Sequence, residues 1–354
     1  MTNTQSVSFL SPEEIATREM PDVAYTKLPN LTSIFKDRQS RLEFLAEGHN
    51  MRDFLLFIAQ IAGAQHRVLN HAEFDFAQVG ATSIPSLEHL QTCAQQGLPP
   101  LRYDAIFMGR TWIDDFQFIL RDVLDYIDIA APATKVLQFL ARMSEDDLQK
   151  EAQKLLSGNM SELNMGAAPL IAAALQVFWV KLASVSAKLY PSQPFPQIAN
   201  ATLCPCCGSR PVSSMNTLGT DVGTSRYLHC SLCQTQWYMT RIKCTHCEST
   251  KGIAYHSLES SPGEAESTAG YEGSGVSVET CDECMHYLKI LNMAKNPLVE
   301  PVADDLATLA LDILISEEGY ECGGINLMLF LNTAPQDTSL QTIDFFDPPA
   351  SGLH

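Results

Sequence analysis

Eight cysteines fall in four Cys-x-x-Cys pairs between residues 204 and 284: Cys204/Cys207, Cys230/Cys233, Cys244/Cys247 and Cys281/Cys284. Two intervening residues let both sulfurs of a pair converge on one ion from a single tight turn. Thiolates select zinc or iron among biological metals. Eight thiolates complete two tetrahedral S4 sites. A disulfide framework is the competing use of paired cysteines. It fits poorly, because the chain is 354 residues long and its N-terminus has no basic region, apolar region or Arg-Arg pair of an export signal. The expectation is a soluble protein of the reducing cytoplasm. Closed four-ligand sites leave no open position for a substrate, which argues against Lewis-acid hydrolysis. Zinc would hold structure and iron would add a redox couple; spacing does not separate them.

Successive pairs are separated by gaps of 22, 10 and 33 residues. The first gap suits a hairpin whose two knuckles face each other. The second, QTQWYMTRIK, is too short for a ribbon body and reads as a β-prone link with Trp237, Met239 and Ile242. Short connections favour neighbours, so the first two pairs are expected at one metal and the last two at the other. In the first knuckle, Cys204-Pro-Cys-Cys-Gly208, proline fixes the turn and Gly208 tolerates a left-handed backbone that aims amides at sulfur. Cys206 inside that turn is either a reactive thiol or a passenger, and the passenger reading is preferred because reactivity needs exposure. His229 and His246 flank ligands, but the sulfur set is already complete, so they are read as neighbours of the sites or surface residues. Cys93 and Cys322 are read as isolated structural thiols.

The elements that must position these knuckles are mixed, and the fold class expected is α+β. A hydrophobic content of 45% is enough for a real core. Residues 1–190 read as a helical bundle. Ser11-Pro12-Glu13-Glu14 looks like a capped helix start, and apolar residues recur at helical spacing from Leu42 to Ile61 and from Tyr103 to Ile127. Residues 132–157 and 160–189 give two more helices. The most apolar stretch, Gly166 to Val180, is too short to span a bilayer and is read as a buried helix, with no membrane insertion. Three prolines between 191 and 196 mark a linker. A first metal-ribbon unit is expected over 197–243 and a second over 244–334, followed by a tail over 335–354. The acidic, Gly/Ser-rich stretch 259–277 reads as a loop inserted in the second unit. Met285 to Ala294 is expected as a short helix. Ala303 to Glu318 is expected as an amphipathic helix with an apolar stripe of Leu306, Leu309, Ala310, Ile313 and Leu314, ended by Gly319.

Charge separates the function classes that use such ribbons. The chain carries a net charge of −18, and residues 199–290 hold six Lys/Arg against nine Asp/Glu. A nucleic-acid ribbon needs clustered cations to displace counterions, so a protein partner is the better reading. A thiol–disulfide oxidoreductase is the other alternative, disfavoured because metal uses all eight paired cysteines. Nothing in the helical half has catalytic spacing, so a binding protein is expected and not an enzyme.

Three stretches are more specific than a generic ribbon: CPCCGSRPVSSM (204–215), RYLHCSLCQTQWYMTRIKCTHCEST (226–250) with ETCDECMHYLKI (279–290), and PVADDLATLALDILISEEGY (301–320). Together they resemble the formate dehydrogenase accessory protein family, FdhE, most specifically over residues 200–322. The resemblance implies a non-catalytic, chaperone-like cytoplasmic maturation factor for respiratory formate dehydrogenases, which binds the catalytic subunit before export. It also implies rubredoxin-type iron sites, which here would be Cys204, Cys207, Cys230, Cys233, Cys244, Cys247, Cys281 and Cys284. A homodimer is compatible with the sequence. Asp304, Asp305 and Thr308 have two open readings. They cap a helix start, or they form part of a partner-facing surface, since two adjacent acids exceed what capping needs.

Overall fold

The computed structural model describes residues 24–70, 83–106, 108–126, 131–159, 163, 166–191, 195–217, 225–257 and 275–329. The expected helix start at Ser11, most of the acidic stretch 259–277 and the tail from 335 lie outside the described residues.

Among the described residues, seven helices form the first half: α1 (Ile34–Ala46), α2 (Arg52–Asn70), α3 (Leu87–Gln96), α4 (Thr111–Tyr126), α5 (Ala131–Leu140), α6 (Glu145–Ser157) and α7 (Ala168–Leu189). The stretch expected as one helix over 132–157 is two, because Ser144 leaves helical geometry and its side chain caps α6 by accepting from Asp147 N. The apolar α7 is the axis of the bundle. It is long and apolar enough to cross a membrane, yet 94% of its most apolar window is buried inside the protein, as in a core helix. Its Trp179 indole donates to the Leu101 carbonyl (2.9 Å), so the one polar atom of that buried ring is satisfied.

Among the described residues, eight strands make one sheet: β1 (Thr26–Lys27), β2 (Pro211–Thr217), β3 (Ser225–Cys230), β4 (Gln236–Tyr238), β5 (Ile253–His256), β6 (Val276–Cys281), β7 (His286–Asn292) and β8 (Glu321–Cys322). The order is β1-β4-β3-β2-β7-β6-β5, with β8 also paired to β7. Two antiparallel ribbons, β2-β3-β4 and β5-β6-β7, are therefore fused by the parallel pairing of β2 with β7, in which Ser214 faces Ile290. The expected helix over 285–294 is in fact strand β7. Tyr287 to Leu291 are all buried, so the strand lacks the polar-apolar alternation that would have marked it.

The expected helix over 303–318 is also revised. It is two helices, α8 (Pro301–Ala307) and α9 (Leu309–Glu317), broken at Thr308 (φ −116°, ψ 33°). The Thr308 hydroxyl donates to the carbonyls of Asp304 (2.7 Å) and Asp305 (3.3 Å), which competes with helix continuation. The break rotates the apolar stripe. Leu306 is buried, whereas Ile313 and Leu314 are 61% and 46% exposed, and Leu311 and Ile315 face the core instead. Gly319 (φ +90°) ends α9 as expected.

Asp304, Asp305 and Thr308 are buried, which corrects the reading of them as a partner-facing surface. Their chemistry is spent inside the molecule. Arg41 of α1 grips both Asp304 oxygens (2.6 and 2.9 Å), and Asp305 pairs with Lys289 of β7 (3.2 Å). Arg38, one turn earlier on α1, donates to Glu300 (3.0 and 3.1 Å), whose other oxygen caps α8 through the amides of Val302 and Ala303. A further buried pair joins α4 to α7, with Lys181 donating to Asp115 at 2.6 Å.

Two outcomes are expected. Asp304→Asn leaves the Arg41 guanidinium buried without its counter-charge, and should lower unfolding stability by ~3–5 kcal/mol, read as the shift in a urea midpoint. Burial raises Asp115 to about 6, with Lys181 opposing. Its folded value lies above its unfolded one, so its contribution to stability is full below pH ~4 and is lost as pH rises through ~6. The double variant Asp115→Leu/Lys181→Met should match or exceed wild-type stability at pH 7, by up to ~1–4 kcal/mol, with the difference growing between pH 4 and 6. A loss at pH 7 equal to that of Asp115→Leu alone would show that the pair is net stabilising.

Candidate metal centres

Every knuckle uses the same local device. The residue after the second cysteine adopts a left-handed backbone: Gly208 (φ 78°), Gln234 (60°), Glu248 (59°) and Met285 (55°). This turn closes Gly208 N onto Cys204 O (2.9 Å), Glu248 N onto Cys244 O (3.1 Å) and Met285 N onto Cys281 O (2.8 Å). It also aims amides at sulfur, as Leu232 N and Cys233 N donate to Cys230 Sγ (3.3 Å each) and His246 N donates to Cys244 Sγ (3.3 Å). Glycine adopts this conformation freely; a side chain there costs of order 1 kcal/mol. Gln234 offsets that cost with its amide. Its oxygen accepts from Arg38 (2.5 Å) and His229 (2.9 Å), and its nitrogen donates to Ser231 O (3.1 Å).

The four pairs meet as two sets, Cys204/Cys207/Cys230/Cys233 and Cys244/Cys247/Cys281/Cys284, with the sulfurs of each set within 4.8 Å of one another. Facing sulfurs are 3.5 Å (Cys204–Cys233) and 3.4 Å (Cys207–Cys230) apart in the first set. In the second they are 3.7 Å (Cys244–Cys284) and 3.8 Å (Cys247–Cys281) apart. A tetrahedron with metal–sulfur bonds of about 2.3 Å has edges of about 3.8 Å, so both sets fit one Zn or Fe ion each. The sequential pairing expected from the gaps is the pairing that the fold makes.

The electrostatics of the donors point the same way. Burial pushes the Cys204 and Cys230 thiols well above their ordinary range. Burial also opposes ionisation of Cys233, but hydrogen bonds from its three partners and Cys206 outweigh it and pull that thiol well down. In the second set, Cys284 donating to Cys244 pulls Cys244 to about 5. Without a cation, such a set can hold about one thiolate that its neighbours solvate. A bound cation supplies the counter-charge that lets the others ionise.

The neighbours divide by role. Cys206 is buried at the first set and its carbonyl accepts from Leu101 N (2.9 Å), so it lacks the exposure that a reactive thiol needs. His229 is buried, and its two ring nitrogens are taken by Gln234 and Gln236 rather than by the sulfur set. His246 stacks on His286 beside the second set (centroids 3.6 Å, planes 12° apart), and burial, with Arg210 and His286, depresses it to about 3, leaving it neutral. Cys93 sits on α3 beside His89, far along the chain from either set. Sequence reasoning missed Arg38, Gln176 and Gln234, which tie the second knuckle to the helices; Gln176 of α7 donates to Ser231 O at 2.8 Å. No local pattern marks them, because an Arg or Gln on a helix or in a turn reads as surface until its partner is known.

Three family models match the chain: FdhE N-terminal over residues 23–190, FdhE central domain over 203–241 and FdhE C-terminal domain over 242–329. Among curated proteins, the chain is 36% identical to a protein FdhE homolog of Cronobacter sakazakii over 305 residues, covering 85% of this chain and 90% of that one. It is 35% identical to the homolog of an Enterobacter species over 329 residues, covering 92% and 98%. Among solved structures, the crystal structure of the FdhE protein from Pseudomonas aeruginosa aligns with a TM-score of 0.71 at 32% identity, covering 86% of this chain and 98% of that chain.

Two S4 sites predict a divisible metal content. Cys204→Ser and Cys281→Ser should each lose about one metal equivalent by elemental analysis. Metal binding of ~10–16 kcal/mol per structural zinc site is folding energy for such units, so each change should also loosen its own ribbon. Cys206→Ser should keep both equivalents.

Proposed function

The chain belongs to the FdhE family, and on that premise we propose that it is a non-catalytic accessory factor for respiratory formate dehydrogenase. In this reading it acts in the cytoplasm and binds the catalytic subunit of the enzyme before export, in a chaperone-like way. Cys204, Cys207, Cys230 and Cys233 hold one iron, and Cys244, Cys247, Cys281 and Cys284 hold another. Bound iron would supply a one-electron couple at a tetrahedral sulfur site.

The observation that carries this reading is the pair of closed four-sulfur sets in a chain whose helical, central and C-terminal parts all match FdhE models. Four sulfurs around each ion leave no position at which substrate could bind, which favours a binding role over a catalytic one. The charge of −18 favours a protein partner over a polyanion.

Deletion of the gene, in a strain without a paralogue, should leave the dehydrogenase polypeptide present and formate oxidation largely lost. A pull-down with the full-length protein should recover the catalytic subunit and lose it when knuckle cysteines are replaced. Normal formate oxidation in the deletion strain would refute the assignment. Elemental analysis of protein purified without added metal should find iron at about two equivalents; zinc alone would keep the architecture and remove the redox option.

A further inference from the structure

The two sulfur sets differ in a way that the repeated motif does not predict. All four sulfur-bearing residues of the first set are 0% exposed, and they belong to the main hydrophobic core together with residues of α1, α2, α4 and α7. The helical half grips its knuckles directly: Leu101 N, in the turn between α3 and α4, on Cys206 O, Gln176 of α7 on Ser231 O and Arg38 of α1 on Gln234. Two hydroxyls also stand against its sulfurs. Ser209 Oγ is 3.3 Å from Cys207 Sγ, and Thr235 Oγ1 is 3.2 Å from Cys233 Sγ, placed to donate once those sulfurs are thiolates.

The second set is built differently. Cys244 and Cys281 are buried, but Cys247 and Cys284 are partly exposed. None of its four cysteines belongs to either hydrophobic cluster of the described residues. The knuckle turn after Cys284 is carried by Met285, 42% exposed and strained at φ 55°, where the matching Gln234 of the first set is bonded on three sides. Glu248, at the third knuckle, is held by a partly exposed pair with Lys243 (3.2 Å), worth little, and by a long bond from Ala201 N (3.3 Å).

We infer that the second centre is a metal-exchange site, opened at Cys247 and Cys284, while the first keeps its ion for as long as the fold lasts. This rests on the two-ion reading above. Exchange at a four-sulfur ion proceeds when an outside donor, a thiolate or a chelator, reaches the metal. A metal–donor bond forms, one metal–sulfur bond breaks, and the sulfur keeps its electron pair with no change of oxidation state. A partly exposed sulfur edge admits that donor. A sheath of helices, with every sulfur at zero exposure, admits it only by unfolding, so release from the first centre is governed by opening of the core. The class of partner is a soft donor, small or presented by another protein's cysteines.

The test uses full-length protein reconstituted with zinc alone, under reducing conditions, with a chromogenic chelator and no denaturant. The expected result is two equivalents in total after denaturation. Under native conditions one should leave at least about tenfold faster than the other, a barrier difference of ~1.4 kcal/mol. Alkylation of the wild-type zinc protein, mapped by mass spectrometry, should label Cys247 and Cys284 with the fast phase and spare Cys204, Cys207, Cys230 and Cys233. Cys284→Ser should remove the fast phase and leave the slow one. A single release phase, equal labelling of both sets or loss of the slow phase in Cys284→Ser would overturn the inference. A total other than two equivalents would instead overturn the two-ion reading itself. The release and labelling arms use the unmutated protein, so a Cys284→Ser chain that fails to fold does not leave the question open.

Discussion

Four thiols brought together where no water reaches cannot all ionise unaided, because each thiolate would stand in a dry site beside others of the same sign. The first sulfur set lies in such a place, at the contact between the helical half and the sheet. A single divalent ion would resolve the conflict, and once bound it would be part of the core. The rest of the architecture follows from holding two hairpin turns face to face around that point. Left-handed residues set the turns, amides and hydroxyls point at sulfur, and helix side chains fix the knuckles from behind.

Polar groups hold the two halves in one register. Arg38 joins three elements at once, bonding Gln234 of the second knuckle and Glu300 at the head of α8 from its own place on α1. Arg41 repeats the grip one turn later on Asp304. Desolvation offsets most of the attraction in buried pairs like these, so they add little net stability. What they contribute is a penalty on every other packing, since a slip of α1 against α8 would leave charges buried alone.

The parallel pairing of β2 with β7 turns two similar ribbons into one eight-stranded sheet, yet it places them in unlike surroundings. The ribbon nearer the helices is roofed by them. The other ribbon ends the sheet at β5 and packs beside the short helices α8 and α9, and α9 leaves Ile313 and Leu314 uncovered. Burial, and with it access to each sulfur set, is a property of position in the sheet and not of the Cys-x-x-Cys motif.

The ligand sets were legible in the sequence because a knuckle is a local object: two sulfurs, two spacer residues and one permissive turn lie within five positions. Pairing followed from gap lengths, and helices such as α2 and α7 from apolar spacing. The N-terminal helical half was legible for the same reason. The same local reasoning failed where burial came from elsewhere in the chain. Strand β7 looked helical because both its faces are covered, and Thr308 broke a helix that the pattern ran through. Asp304 and Asp305 looked like spare surface charge until Arg41 and Lys289, 263 residues before the one and 16 before the other, were brought against them. The cysteine spacing alone determined that eight sulfurs form two sets. Which set is sealed and which stays open was decided only by the tertiary structure, because access to solvent depends on what packs around a turn and not on the turn itself.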